Sequence, residues 1–111
     1  MTYDMLSLFT LIATTVRTHP GVTLSAAVAM LGVERHTIER ACRLNGTTFR
    51  GVRQEVRFVL ACELLTSQAQ LSIKQVSASI GYSPRAFARF IRLRSGRALR
   101  ALRAALRSSL E

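Results

Sequence analysis

The stretch from Ile80 to Gly96 reads IGYSPRAFARFIRLRSG and sets Arg85, Arg89, Arg92 and Arg94 among Phe, Ala, Ile and Leu. A guanidinium group is a permanently charged planar fork of N–H donors, matched to the paired oxygens of phosphate and to the O6 and N7 acceptors of guanine. Arg85 and Arg89 stand four residues apart, so on a helix they share one face. The chemistry on offer is therefore recognition of a polyanion. The whole chain agrees: 16 Lys+Arg against 6 Asp+Glu give a formal charge of +10 and a pI near 11.6. Fifteen of the sixteen are Arg and the other is Lys74.

Other chemistries find no apparatus. His19 and His36 are far apart in sequence with no clustered His, and neither a Ser/His/Asp pattern nor a glycine-rich phosphate loop occurs. No catalytic residues, metal ligands or cofactor are expected. Cys42 and Cys62 stand alone, outside any zinc or secreted-disulfide spacing, and read as fillers of apolar helix faces. The start MTYDMLSLFTLIATTVR lacks a basic leader and is too short an apolar run to span a bilayer, which makes the cytoplasm the expected location and a membrane an unexpected partner.

The elements that must position the arginines are helices. There is no sustained alternation and no Asn-Gly or Asp-Gly hairpin turn between apolar runs, so the chain is expected to be all-α, with about seven helices. Leu6, Phe9, Ile12, Ala13 and Val16 predict an amphipathic helix from about Tyr3 to Thr18, stopped by His19-Pro20-Gly21. Thr23 caps a short helix ending at Gly32, and a third runs over residues 35–44 to Asn45-Gly46. Thr48 opens a long linker helix to about Thr66, with Val52, Val56, Phe58, Val59, Leu60, Leu64 and Leu65 on its buried face. Ser72 caps a helix from Ile73 to Ile80. Ser83 with Pro84 starts one over residues 84–94. The last helix, about Ala98 to Leu110, packs Leu99, Leu102, Ala105 and Leu106 and exposes Arg100, Arg103 and Arg107.

Overlaid at an offset of 49 residues, the two halves match. Thr23 falls on Ser72, Leu24 on Ile73, Ala27 on Val76, Leu31 on Ile80 and Gly32 on Gly81. Beyond the glycines, Ile38 falls on Phe87, Arg40 on Arg89, Cys42 on Ile91 and Arg43 on Arg92. Each copy is a short helix, a glycine turn and a second helix with arginine on one side, which is the helix-turn-helix pattern. Its second helix enters the major groove while the first braces against the backbone.

With GYSPRAFARF opening the second reading helix and EVRFVLACELL in the linker, the sequence resembles the DNA-binding domain of the AraC/XylS transcription regulators from about Leu6 to Leu106. Gly46, Thr48, Arg57, Ala61, Leu64 and Leu65 fall on the family's linker spacing, and Gly81, Ser83, Phe87, Arg89 and Gly96 match in the second unit. The chain departs from the family in having Glu34 in place of the usual Ser cap, and in having Phe49 and Val52 after the first unit and Leu99 and Leu102 after the second, where the family usually has Pro and an aromatic. The resemblance implies two helix-turn-helix subdomains, 1–47 and 67–111, joined by a linker helix over 48–66, in a bacterial regulator whose reading helices enter successive major grooves. A linker of 18–20 residues spans roughly 27–30 Å, somewhat under one DNA turn of roughly 34 Å. A monomer suffices for that geometry, and the oligomeric state stays open.

Double-stranded DNA is thus the expected partner. Arg85 and Arg89, with Ala86 beside them, are the base-contact candidates of the second unit, and His36, Glu39 and Arg40 those of the first, where Glu39 can accept from cytosine N4. Arg43 and Arg92, one turn further, are assigned to phosphate, as are Thr23 and Ser72 at helix N-termini. Competing readings stand beside these. Glu39 can pair with Arg35 or Arg43 instead, and Arg57 is expected in an intramolecular ion pair with Glu34 or Glu63. Arg97, Arg100, Arg103 and Arg107 form a basic stripe with three readings: contact to flanking phosphate, a basic amphipathic face for an anionic membrane or a partner helix, or, the favoured one, a solvated face that steers DNA. RNA polymerase, and with it activation, is a partner that the resemblance implies. The alternatives are a helical module that binds nucleic acid without sequence preference or binds protein, and the DNA-binding fragment of a larger effector-sensing regulator.

Overall fold

In the computed structural model, residues 4–67 and 71–108 are described. They form seven α-helices and no strand. These are α1 (Met5–Thr18), α2 (Leu24–Leu31), α3 (Arg35–Leu44), α4 (Phe49–Ser67), α5 (Ile73–Ile80), α6 (Pro84–Ser95) and α7 (Leu99–Ser108). The expected ends at Tyr3 and Leu110 lie outside the described residues.

Local signals account for most boundaries. Asp4 accepts from the Ser7 N–H at 2.8 Å and caps α1, and these bonds hold its carboxyl below the ordinary carboxylate range. Thr23 accepts from the Ala26 N–H, Thr48 from Gly51 and Ser83 from Ala86, at 3.0–3.2 Å. Ser72 and Gln75 cap α5 reciprocally: the Gln75 N–H donates to the Ser72 hydroxyl at 3.1 Å, and the Ser72 N–H to the Gln75 side chain at 2.8 Å. Helices α2 and α5 stop at Gly32 and Gly81, whose φ of +65° and +86° are reached without the Cβ clash other residues meet. Helix α3 starts on Glu34, which makes no side-chain cap bond.

The chain divides into two compact units, Met1–Arg57 and Phe58–Glu111. In the first, Leu8, Ile12 and Val16 of α1 meet Ala27 of α2, Ile38, Ala41 and Cys42 of α3, and Phe49 and Val52 of α4. Leu6, expected inside, is 68% exposed, and Leu8 takes the buried position. In the second unit, Ala61 and Leu65 of α4 pack with Val76 and Ile80 of α5, Phe87 and Ile91 of α6, and Leu102 of α7. Phe90 stacks on Tyr82 at 5.1 Å and takes Phe58 edge-on at 6.4 Å. Val59, expected on the buried face, is exposed. It falls between Val56, the last α4 residue against the first core, and Ala61, buried in the second.

The sequence repeat is a structural repeat within each unit. Ala27 and Val76 are fully buried, as are Ile38 and Phe87, and Cys42 and Ile91. These three core positions of one copy thus have buried counterparts in the other, and the second helix of each motif is held by the same two contacts one turn apart.

Candidate nucleic-acid interface

Helices α3 and α6 bury the side of Ile38 and Cys42, and of Phe87 and Ile91, which leaves the opposite side to solvent. At 3.6 residues per turn, Arg40 and Arg89 fall nearly opposite those anchors. His36, Glu39, Arg40 and Arg43 on α3 are exposed, as are Arg85, Ala86, Arg89 and Arg92 on α6. Each helix thus gathers its four sequence-predicted residues on one open face.

Among the described residues, no ion pair or hydrogen bond engages the guanidinium groups of Arg40, Arg43, Arg85, Arg89 or Arg92. They are charges held in water, at low cost to strip when a phosphate or base edge replaces the solvent. Glu39 differs: its carboxylate accepts from Arg35 Nε at 2.9 Å. His36 Nδ1 lies 3.2 Å from Glu34 Oε2, with both side chains well exposed. Thr23 and Ser72 spend their hydroxyl oxygens on capping, and the Ser72 N–H is taken by Gln75. The open N–H groups at the start of α5 therefore belong to the residues after Ser72.

The two units are charged unequally. Residues 1–57 hold seven Arg against four acidic residues, and residues 58–111 hold eight Arg and Lys74 against two, so +7 of the formal +10 lies in the second. No acidic residue is present on α6 or α7. The field over α6 is uniformly positive, whereas Glu34 and Glu39 dilute it over α3.

Not every arginine faces outward. Arg57 is only 8% exposed and donates its Nε to the Pro20 carbonyl, which holds the turn after α1 to α4 within the first unit. Arg103, expected in the solvated stripe, is half-buried and donates Nη2 to the Leu71 carbonyl at 2.8 Å. It satisfies a chain carbonyl ahead of α5, so the stripe of α7 is reduced to Arg100 and Arg107. Arg94 lies over the Phe58 ring at 6.0 Å.

Three features escaped the sequence reading. A cleft of about 380 Å³ in the first unit lies between α3 and the start of α4, where Arg43 and Arg50 join Thr47 and Thr48 above Phe49. Leu44 and Leu93 are exposed on α3 and α6. The 49-residue offset also pairs these two leucines, a signal that was present in the sequence.

Burial raises the thiol pKa of both Cys42 and Cys62, so they stay protonated and unreactive at neutral pH. Among the described residues no three His, Cys, Asp or Glu side chains gather as a metal site. Nor is any described helix long and apolar enough to cross a membrane.

Comparison with known proteins gives the geometry a family. Residues 27–105 match the family model of a helix-turn-helix domain of the AraC type. Among solved structures, the C-terminal domain of AraT, a response regulator from Geobacillus stearothermophilus, is similar with a TM-score of 0.78. That likeness covers 93% of this chain and 88% of the other at 19% identity, and is one of fold. No curated protein matches the chain. Two copies of one motif, each with an outward arginine face and a glycine turn, and a family match from within α2 into α7 lead to one conclusion: the chain belongs to the AraC-type helix-turn-helix family of DNA-binding regulators.

Proposed function

We propose that the protein is a sequence-specific transcription regulator that reads two successive major grooves of double-stranded DNA with α3 and α6, and that it activates transcription through RNA polymerase. The observation that carries the first part is the repeated open face, with Arg40 and Arg89 opposite the buried anchors Ile38 and Phe87. In this reading Arg85 and Arg89 contact guanine edges, and Ala86 packs against the groove floor. His36, Glu39 and Arg40 contact the other half-site. Arg43 and Arg92 hold phosphates, joined by backbone N–H groups at the helix starts after Thr23 and Ser72. The three residue blocks 1–47, 48–66 and 67–111 act as reader, linker and reader. In this reading α6 is the stronger of the two readers, because it carries four arginines and no acid, whereas α3 carries Glu39.

Selection of bound duplexes from a random DNA pool at near-physiological salt tests the reading. Enrichment of two short motifs about one helical turn apart is expected, and binding that scrambled duplex competes away equally well removes the sequence-specific function. For activation, a reporter behind the selected site should rise on expression, and a fall makes the protein a repressor.

A further inference from the structure

Leu44 and Leu93 are two of the five large apolar side chains that the described residues leave exposed, at 61% and 76%. A single exposed leucine is ordinary. These two occupy the same position of the two repeats, 49 residues apart, and neither packs into the core of its unit.

Their register is the informative part. Leu93 stands four residues after Arg89 and eight after Arg85, so the three fall within an arc of about 80° on α6. Leu44 stands in the same relation to Arg40 and His36 on α3. Each leucine therefore extends the stripe that the reading helix turns outward, with Arg92 or Arg43 directly before it. The charges around both select a polyanion as the occupant of this face. On the base edges of a major groove the apolar group that a leucine can meet is the 5-methyl group of thymine. Eight residues of helix advance about 12 Å, the rise of three to four base pairs.

We propose that Leu44 and Leu93 are specificity-determining residues that each read a thymine by its 5-methyl group, three to four base pairs from the bases met by His36 and Arg85. This inference rests on the sequence-specific reading above. In it, the polar residues of each stripe read hydrogen-bonding edges and the leucine at its end reads a methyl group.

The test uses the full chain and the duplex selected from the random pool. Each thymine is replaced in turn by deoxyuridine, which removes only the methyl group, and affinity is measured for the parent protein, Leu93→Ala and Leu44→Ala. Both leucines are exposed, so the variants fold. At one thymine in each half-site the parent should lose affinity about fourfold, the equivalent of one buried methyl group. The matching variant should lose a similar factor on the thymine duplex and nothing further on the deoxyuridine duplex, with its binding to scrambled DNA unchanged. The inference is overturned if no thymine is sensitive, if the two losses multiply, or if the variants bind all DNA as the parent does, which would assign the leucines to another partner. If the pool yields no enriched sequence, the sequence-specific reading falls and this inference with it. An enriched sequence indifferent to the methyl groups removes the inference alone.

Discussion

Arg35 and Glu39 meet across one turn of α3, with Nε donating to the carboxylate at 2.9 Å. The pair lies on the margin of the reading face and holds a negative charge next to Arg40 and Arg43. Pairing with Arg35 softens that charge without removing it, because both side chains are in contact with water. Glu39→Ala should therefore tighten binding to scrambled duplex, with the largest gain at low salt where screening is weakest. Affinity on scrambled DNA followed from low to moderate salt checks this, and weaker binding to every duplex would contradict it.

Helices α3 and α6 begin differently, and stability should register the difference. Ser83 accepts from the Ala86 N–H at 3.2 Å, whereas Glu34 makes no cap bond. Ser83→Ala should destabilise the second unit by about 1 kcal/mol, and Glu34→Ser should stabilise the first by up to about 1 kcal/mol. Denaturant titration of each variant measures both. Equal responses of the two sites would mean that the caps do not differ in strength.

Arg57 and Arg103 each donate to a backbone carbonyl, which assigns them to structure rather than to DNA. Removing a charged donor from a part-buried carbonyl costs about 1.5–3 kcal/mol, so Arg57→Ala should unfold at markedly lower denaturant. Arg103→Ala, at a half-buried site, should cost about 1 kcal/mol. At temperatures where the variants remain folded, their salt dependence of DNA binding should match the parent. A shallower salt slope would show that these guanidinium groups contact phosphate.

Arg43 and Arg92 are assigned to phosphate, a contact that carries no sequence information. Arg92→Ala should weaken selected and scrambled duplex by the same factor and reduce the slope of log affinity against log salt by about 0.9. Loss confined to the selected duplex would move Arg92 among the base readers.

Much of this was legible in the sequence because helix punctuation is local. Thr23, Ser72 and Ser83 with Pro84, and the stops at Gly32 and Gly81, fixed the helix ends to within a residue or two. The repeat fixed which side of α3 and α6 faces inward, since Ile38 and Phe87 can only be core in both copies. What failed depended on tertiary context. Helix α1 carries apolar residues around most of its circumference, so periodicity alone did not choose Leu8 over Leu6. An arginine on a helix reads the same whether it meets solvent or a distant carbonyl, and Arg103 reaches one 32 residues away. A leucine among charged residues on a helix carries no signal of its own in the periodicity, so Leu44 and Leu93 were marked only by their shared place in the repeat.

The most direct test of the central claim is Arg89→Ala, measured on the selected duplex and on scrambled duplex at one salt concentration. Arg89 is exposed, lies opposite the Phe87 and Ile91 anchors and meets no protein partner among the described residues, so its loss leaves the fold intact. The expected result is a loss of about 1–3 kcal/mol on the selected duplex, relaxed preference at one base position, and a far smaller change on scrambled DNA. An equal loss on both would show that α6 grips the backbone without reading sequence.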